Sequence, residues 1–323
     1  MKKHLALALF LGLNVQAQSK DDIRLVDFSD KYTGTVSVAQ DEEAETNCTV
    51  NLYDKNGNKI FSEPAFLSEF DLDEGNRART NIKELPYGEQ SILIFEDFNF
   101  DGQEDIALRT GFFSCYGGPS YAVYLAQGKG FVYNESFSEL GQNYCGMFQV
   151  DTDKKQLHTM TKSGCCWHEF ATYEVYNDTV VPVEVIEEQY SGMFVDYKVS
   201  KRENGKMKDS FYQVFDTGDK TPEFMLNFEN GKKMYLTTGM NDDLYYVFTD
   251  KDQKVELAYN DAIVYHRKNN TFSFTNRKTT YIVSENEILI KDSGKEYRMN
   301  KVKERKGAFS NLNVSAFYNV TQK

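Results

Sequence analysis

Short runs of alternating apolar and polar residues, each ended by a turn signal, occupy most of this chain and predict antiparallel strands. Residues 48–63 (CTVNLYDKNGNKIFSE) alternate on both sides of Asn56-Gly57, a dipeptide that favours a two-residue hairpin turn. Four later segments have the same form: 120–137, 147–164, 169–190 and 195–215. No long segment has a helical period, so the pattern predicts an all-β protein built from antiparallel hairpins.

A polar segment, DTGDKTPEF (216–224), interrupts this succession and is the best candidate for a domain boundary. We predict a first β domain at 18–217, arranged either like propeller blades or as a sandwich. A second, smaller β-barrel or sandwich domain is predicted at 218–323, where short strand patterns resume. The segment 66–86 is the best place for one short helix.

An acidic stretch, FEDFNFDGQEDIALRTG (95–111), lies between two predicted strands and repeats oxygen-bearing side chains at every second residue. Such spacing lets a tight loop converge oxygen ligands on a hard cation such as Ca²⁺, with Gly102 at the sharp turn. The pattern D-x-N-x-D-G-x-x-D predicts calcium ligands at Asp97, Asn99, Asp101, Gln103 (through its backbone carbonyl) and Asp105. The alternative is an Asx-rich turn that holds no metal.

The flanks of this loop read as strands, and Leu108 stands where a helix–loop–helix calcium sensor has a bidentate Glu. The loop therefore resembles the strand–loop–strand calcium sites of integrin-type FG-GAP repeats. That resemblance implies that Ca²⁺ is a structural cofactor which joins two strands, and that its affinity is of the weak extracellular class.

A wider resemblance begins at the same loop and continues through residues 116–125 (YGGPSYAVYL) and the Cys-Cys-Trp-His stretch at 165–168. Over about residues 90–190 the chain is similar to a bacterial family of secreted and periplasmic proteins. One branch of that family is a periplasmic lysozyme inhibitor, an immunity protein against a lysozyme-like effector of a type IV secretion system. The resemblance implies a binding protein that blocks a cell-wall hydrolase, and it carries over no inhibitory residues.

The N-terminus has a basic start, an apolar run too short to span a bilayer (Leu5 to Leu13), and a small-x-small signal ending at Ala17. These features predict a signal peptide at 1–17 and a periplasmic or secreted protein without membrane insertion. The whole chain has 37 basic and 49 acidic residues; without the signal peptide 35 and 49 remain, a net charge of −14. Such a surface disfavours nucleic acid and favours a basic partner, such as a lysozyme-like protein.

Five cysteines in an oxidising compartment predict disulfides. Because adjacent cysteines rarely bond to each other, we expect Cys165 and Cys166 to bond to Cys115 and Cys145, one each, in either connectivity. Cys48 is then the odd thiol, buried or free. A zinc site formed by Cys165, Cys166 and His168 is the less favoured alternative, since the usual CxxC spacing is absent.

Hydrolase motifs are absent from the sequence, which contains neither GxSxG nor HExxH, and we expect no enzyme. Adjacent carboxylates at Glu187-Glu188 and Asp242-Asp243 leave one alternative, a glycan-processing enzyme of the cell envelope that uses a carboxylate pair.

Partner contacts are expected on the tight loop that follows the acidic stretch and beside the only tryptophan, because loops on a rigid scaffold often carry binding. The candidate residues are Tyr116, Pro119, Tyr121 and Trp167. The alternative for Trp167 is a packing role over the disulfides.

Overall fold

The computed structural model of the chain describes residues 22–39, 46–216, 218 and 221–323. The predicted signal peptide lies outside the described residues. Two compact units are present: the first comprises residues up to 159 together with 174–181, and the second comprises 160–173 and 182–323. The predicted boundary at 217 differs from this division, because the later hairpins of the predicted first domain belong to the second compact unit.

Up to residue 143, the described residues contain nine strands, one α-helix and two 3₁₀ turns. In chain order they are β1 (Ile23–Val26), β2 (Thr33–Val38), β3 (Cys48–Tyr53), β4 (Lys59–Ala65), a 3₁₀ turn (Glu69–Asp71), β5 (Ala78–Arg79), β6 (Leu93–Glu96), β7 (Asp105–Ser114), a 3₁₀ turn (Cys115–Gly117), β8 (Gly118–Gln127), β9 (Gly130–Tyr133) and α1 (Glu135–Asn143).

These strands form a five-stranded sheet, β4-β3-β2-β1-β5, and a four-stranded sheet, β6-β7-β8-β9. Apolar residues of both sheets share one core, in which Val36, Val50, Leu52, Ile92 and Ile106 have no exposed surface. Burial of this shared apolar face holds the two sheets together, in the manner of a sandwich.

The helix α1 was not predicted, whereas the predicted helical segment 66–86 holds a single 3₁₀ turn at Glu69–Asp71. Asn134 caps α1 by accepting a hydrogen bond from the Phe137 amide at 3.1 Å. Phe137 and Leu140, three residues apart, are buried together. Nine residues give too few turns for a periodic signal to stand out among alternating strands.

The middle of the chain is a meander of long hairpins. Its strands are β10 (Gln149–Asp151), β11 (Gln156–Ser163), β12 (Trp167–Tyr176), β13 (Thr179–Ser191), β14 (Phe194–Glu203) and β15 (Lys206–Phe215), which form a sheet in that same order. The hairpins predicted at 169–190 and 195–215 are confirmed: their strands reverse at Asn177-Asp178 and Asn204-Gly205, where all four residues have positive φ, as type I′ turns require.

The remaining strands belong to the second unit. They are β16 (Phe224–Phe228), β17 (Lys233–Thr238), β18 (Leu244–Thr249), β19 (Val255–Tyr259), β20 (Ile263–His266), β21 (Thr271–Asn276), β22 (Thr279–Val283), β23 (Ile288–Asp292), β24 (Lys295–Met299), β25 (Val302–Gly307) and β26 (Val320–Gln322), with a 3₁₀ turn at Phe309–Asn311.

They form two sheets, β19-β18-β17-β16-β25 and β24-β23-β22-β21-β20-β26. One aromatic-rich core lies between the sheets and includes Phe224, Tyr246, Phe272 and Phe309. Every residue of this core lies between 224 and 320, inside the predicted second domain, and its arrangement is that of a sandwich. The all-β prediction is confirmed.

Candidate partner-binding site and acidic loop

The acidic loop between β6 and β7 is closed by hydrogen bonds from its own amides. The Asp97 carboxylate accepts from the amides of Asp101 at 3.0 Å and Gly102 at 2.9 Å. Asn99 Oδ1 accepts from the Asp101 amide at 3.2 Å, and the Asp101 carboxylate accepts from Gln103 N and Nε2 at 2.7 and 3.0 Å. These bonds are typical of Asx turns, and they set the side-chain oxygens along the inside of a tight loop.

Asp105 differs from the other loop carboxylates because it is fully buried. Its two oxygens accept hydrogen bonds from the amides of Phe98 at 2.9 Å, Asn99 at 3.4 Å and Ala126 at 2.8 Å. Burial and, to a smaller extent, the nearby Asp101 charge raise the pKa of this carboxyl to about 6, against the opposing effect of the three amides. Asp105 therefore fastens the loop to β8.

The loop is also joined to the turn between β12 and β13, which belongs to the same unit. Asn99 Nδ2 donates to the Asp178 carboxylate at 2.9 Å, and Asn134 Nδ2 donates to the Asp178 carbonyl at 2.9 Å. One residue of this turn therefore bonds both the acidic loop and the N-terminal cap of α1. The loop is a structural junction of the first unit.

The chemistry of the loop fits Ca²⁺, because its side chains offer oxygen donors at alternate positions. The arrangement of these side chains is not that of a formed metal site. Within the described part of the chain, no three acidic, cysteine or histidine side chains converge as a metal-binding group. Asp105 in particular directs both oxygens at backbone amides. A calcium ion at Asp97, Asn99, Asp101, Gln103 and Asp105 therefore stays a prediction.

The loop at residues 115–119 follows β7 and is fixed by a disulfide between Cys115 and Cys145. Tyr116 has a left-handed backbone (φ 57°) and its side chain is 65% exposed, so the loop presents an aromatic ring to solvent. Pro119 is partly buried at the start of β8, where it lines a cavity. A role of Tyr116 and Pro119 in partner contact stays a prediction.

The prediction that Tyr121 contacts a partner is wrong. Its side chain has no exposed surface, and its hydroxyl donates a hydrogen bond to the Ser91 carbonyl at 2.8 Å. Along β8 successive side chains point to opposite faces, and α1 packs against the strand at Tyr121, where Gly141 of the helix lies close to it. It is a core residue whose polar tip is satisfied internally.

The cavity lined by Pro119 has a volume of about 380 Å³ and rests on a buried ion pair between Arg109 and Asp71. Arg109 also donates to the carbonyls of Gln90 at 2.8 Å and Phe66 at 3.1 Å. The Asp71 carboxylate accepts from the amides of Ser68 at 2.7 Å and Ile92 at 3.1 Å. Since every part of this pair has a partner, the floor of the cavity is polar, satisfied and rigid.

Arg79 and Glu89 form a second ion pair at the mouth of the cavity. Arg79 donates to the Phe70 carbonyl at 2.8 Å, while its Nε is buried without a hydrogen-bond partner among the described residues. A buried donor of this kind costs free energy unless a bound group accepts its hydrogen bond.

Two exposed aromatic residues, Phe70 and Phe112, line this cavity, and the exposed Phe113 and Tyr116 follow Phe112 closely in the chain; we call these four residues the aromatic rim. Phe70 and Phe112 line the cavity, and Phe70 and Phe113 are 74% and 72% exposed. The pairing of β7 with β8 shifts register on both sides of Gly111, so the strand bends and both neighbouring phenylalanines reach the surface. Apolar clusters exposed in this way mark binding surfaces.

The predicted disulfides from Cys165 and Cys166 to Cys115 and Cys145 are wrong. Cys115 and Cys145 bond to each other, with Cα atoms 4.9 Å apart, because α1 returns the chain to the end of β7. Cys165 and Cys166 then bond to each other across one peptide, with Cα atoms 3.7 Å apart. Cys48 is buried and free, which confirms the prediction that it is the cysteine left outside the disulfides. Its S–H donates to the Ala65 carbonyl at 3.3 Å.

Trp167 begins β12 directly after the bonded cysteines and is half-buried in the second unit. Tyr116 and Pro119, in contrast, belong to the first unit. A role in partner contact stays a prediction for this residue.

The adjacent carboxylates do not form a facing pair. On β13, Glu187 bonds Lys198 Nζ at 2.7 Å, whereas Glu188 lies 3.3 Å from His168 Nδ1, since neighbours on a strand point to opposite faces. Asp243 is buried and accepts from Asn260 Nδ2 at 2.7 Å, while its neighbour Asp242 lies on a turn. Neither predicted pair has the geometry of a general acid facing a second carboxylate.

Apart from Pro119, the residues that line the cavity were missed by reasoning from sequence. Asp71 and Arg109 are 38 positions apart, and no spacing pattern joins them. The one available signal was the dipeptide Phe112-Phe113, which breaks strict alternation and therefore indicates a bulge or an exposed apolar residue.

Comparison with known proteins gives a limited result. No protein-family model and no curated protein matches the chain. A type IV secretion system related protein from Xanthomonas is similar in structure, with 23% identity and a TM-score of 0.46 over 59% of this chain and 94% of that chain. TolB from Acinetobacter baumannii matches 85% of this chain and 66% of its own, with 11% identity and a TM-score of 0.22.

An uncharacterized protein from Listeria monocytogenes gives a TM-score of 0.24 with 11% identity, over 87% of this chain and 83% of that chain. Because all three TM-scores lie below 0.5, these likenesses assign no function to the chain. Within the described residues, no helix has the length and apolar character needed to cross a membrane. The two disulfides are typical of proteins in an oxidising compartment.

Proposed function

We propose that this chain is a secreted binding protein that holds a basic protein partner against the aromatic rim of its first unit. The observation that carries the proposal is that two exposed rings, Phe70 and Phe112, line a cavity with a rigid, ion-paired floor. Aromatic side chains and arginine are the residues most enriched at the centres of protein interfaces.

The charge around the cavity favours a basic partner. Arg109 and Arg79 are each neutralised by an acidic residue, whereas the nearby Glu69 and Glu84 are exposed and have no ion pair among the described residues. The whole chain has a net charge of −12, which steers basic proteins towards it.

Lysozyme-like cell-wall hydrolases are the class we propose for this partner. They are commonly basic. This chain would block such an enzyme by covering the enzyme's cleft with its aromatic rim. The family resemblance of residues 90–190 supports this choice of class.

Binding to muramidases, measured by calorimetry and by residual lysis of cell walls, tests the proposal. We expect Phe70→Ala and Phe112→Ala each to weaken binding roughly thirty-fold, the effect of losing a central aromatic anchor. Phe211→Ala is a matched control, because Phe211 is 73% exposed on β15, outside the rim. Equal weakening by all three variants, or full binding by the rim variants, would show that the rim is not the contact surface.

We further propose that Ca²⁺ stabilises the acidic loop through the predicted ligands. The support is the spacing of oxygen donors and the buried Asp105 carboxyl, whose raised pKa a neighbouring cation would lower. At ten times its Kd, a ligand that binds only the native state adds about 1.4 kcal/mol of stability. Chelation should therefore lower the melting temperature, and added Ca²⁺ should restore it. Asp101→Ala should abolish this response, and a response retained in that variant would refute the site.

A further inference from the structure

A turn at residues 164–166 joins β11 to β12 and holds two bonded cysteines, Cys165 and Cys166. Their Cα atoms are 3.7 Å apart, as one peptide bond dictates, whereas ordinary disulfides join Cα atoms about 4.4–6.8 Å apart. Disulfides outside that range are more easily reduced. Cys165 is also exposed to solvent, while Cys166 is half-buried.

The second disulfide of the chain has the opposite properties. Cys115 and Cys145 lie 30 positions apart with a Cα separation of 4.9 Å, inside the ordinary range. Cys145 is buried and Cys115 is half-buried, so an attacking thiol reaches this bond less easily than a bond with an exposed cysteine. One chain therefore contains a shielded disulfide and an accessible one.

We propose that the Cys165–Cys166 turn is a thiol-exchange site, whose substrate is an exposed dithiol such as the paired thiols of a thiol–disulfide oxidoreductase. The proposal is independent of the function proposed above. It rests on the adjacency of the two cysteines, the exposure of Cys165, and the contrast with the shielded pair.

The exchange proceeds in two steps. A thiolate of the dithiol attacks Cys165 Sγ; the bond between the two cysteine sulfurs breaks, and its electron pair leaves on Cys166 Sγ. The second thiolate of the dithiol then attacks the first sulfur of the same dithiol, which is bonded to Cys165 Sγ in the mixed disulfide. The bond to Cys165 breaks, and Cys165 leaves as a thiolate. Two electrons pass from the dithiol, which becomes a disulfide, to the two cysteines, which take up protons from solvent.

Exchange at this turn leaves the strands in place. The Cys166 carbonyl accepts a hydrogen bond from the Tyr190 amide at 2.8 Å, which fixes the start of β12 to β13 whatever the state of the sulfurs. Trp167 follows directly and is the only tryptophan of the chain. Because a disulfide quenches a neighbouring indole, its fluorescence reports the redox state of the turn.

The test treats the folded protein with dithiothreitol in native buffer and quenches samples over time with iodoacetamide. Mass spectrometry of peptides then gives the rate at which each cysteine becomes alkylated, while Trp167 fluorescence is followed in parallel. We expect Cys165 and Cys166 to be alkylated at least about tenfold faster than Cys115 and Cys145, as their access differs. Fluorescence should rise at the same rate as the faster pair.

Two controls make the result specific. The buried thiol of Cys48 stays unmodified while the protein is folded, so its alkylation would report unfolding. In the double variant Cys165→Ser/Cys166→Ser, dithiothreitol should leave the fluorescence unchanged and the shielded pair should be reduced at the wild-type rate.

Equal reduction rates for the two disulfides would overturn the proposal. Alkylation of Cys165 and Cys166 before any reductant is added would also overturn it, because the bond would then be absent.

Discussion

The buried ion pair under the candidate cavity gives the sharpest prediction about stability. The perturbation is Arg109→Met, which keeps an unbranched side chain of similar length and removes the guanidinium. Arg109 and Asp71 each have side chains only 3% exposed, so solvent cannot replace the lost charge. The variant leaves the Asp71 carboxylate with two backbone donors, the amides of Ser68 and Ile92.

The magnitude follows from this geometry. Removing one partner of a buried pair costs about 3–5 kcal/mol, because an uncompensated charge stays buried. The carbonyls of Phe66 and Gln90 also lose their donor from Arg109, at 3.1 and 2.8 Å. Each such loss costs about 1–3 kcal/mol unless water enters through the cavity. We therefore expect a loss of roughly 4 kcal/mol, at the middle of the range for the pair.

The assay is equilibrium unfolding in urea followed by circular dichroism, at fixed pH and with a chelator present. Native-state hydrogen exchange then locates the loss of stability in the structure. Peptides around β6 and β7 should exchange faster, whereas those of β16–β25 should be unchanged. Lys208→Met is the control, because its ion pair with Glu203 is exposed on both sides, and such pairs contribute about 0–1 kcal/mol.

A double variant, Asp71→Asn with Arg109→Met, distinguishes the cost of the unpaired buried charge from the cost of the lost side-chain packing. Removing both charges should recover part of the loss, since the buried carboxylate is then neutral. The reasoning is refuted if Arg109→Met costs no more than Lys208→Met, or if the double variant is as unstable as the sum of its two single variants.

Two further predictions concern the loop and the turns. Because the folded-state pKa of Asp105 is raised from 3.8 to about 6, the stability that its protonated form contributes is full below pH ~4 and is lost as pH rises through ~6. In chelator the wild type should lose up to about 3 kcal/mol across that window, and Asp105→Asn should lack this dependence. Gly307→Ala should destabilise the second unit by about 1–3 kcal/mol, since φ is 77° and an added Cβ would overlap the Glu223 carbonyl. Gly205→Ala, with φ 78° but open space around it, is the control and should cost about 1 kcal/mol; an equal cost in both variants would exclude the overlap.

The hairpins were predictable because their signals are local. A turn such as Asn204-Gly205 requires positive φ at both residues, and the alternating runs on each side fix which side chains face the core. The second sandwich was also predictable as a region, because its core uses residues 224–320 alone. The helix α1 was not predictable, since tertiary packing of a few buried residues stabilises it more than its own periodicity.

The candidate site was predictable only in part. The left-handed, exposed Tyr116 lies on the loop that the sequence indicated, whereas Tyr121, five positions later, faces the core. Nothing in a strand's own sequence says which of its faces a neighbouring sheet or helix will cover. The prediction of the disulfides failed for a similar reason, because the pairing of cysteines depends on which thiols the fold brings within reach of each other.

By itself, the sequence determined the strands, their turns, the acidic loop and the acidic charge, since each depends on residues close together in the chain. Which distant side chains meet depends on the tertiary structure: Asp71 bonds Arg109 under a cavity, and Cys115 bonds Cys145. A bulge in β7 exposes Phe112 and Phe113, and Phe112 lines that cavity. Binding surfaces of this kind arise from long-range contacts, whose partners a local pattern does not encode.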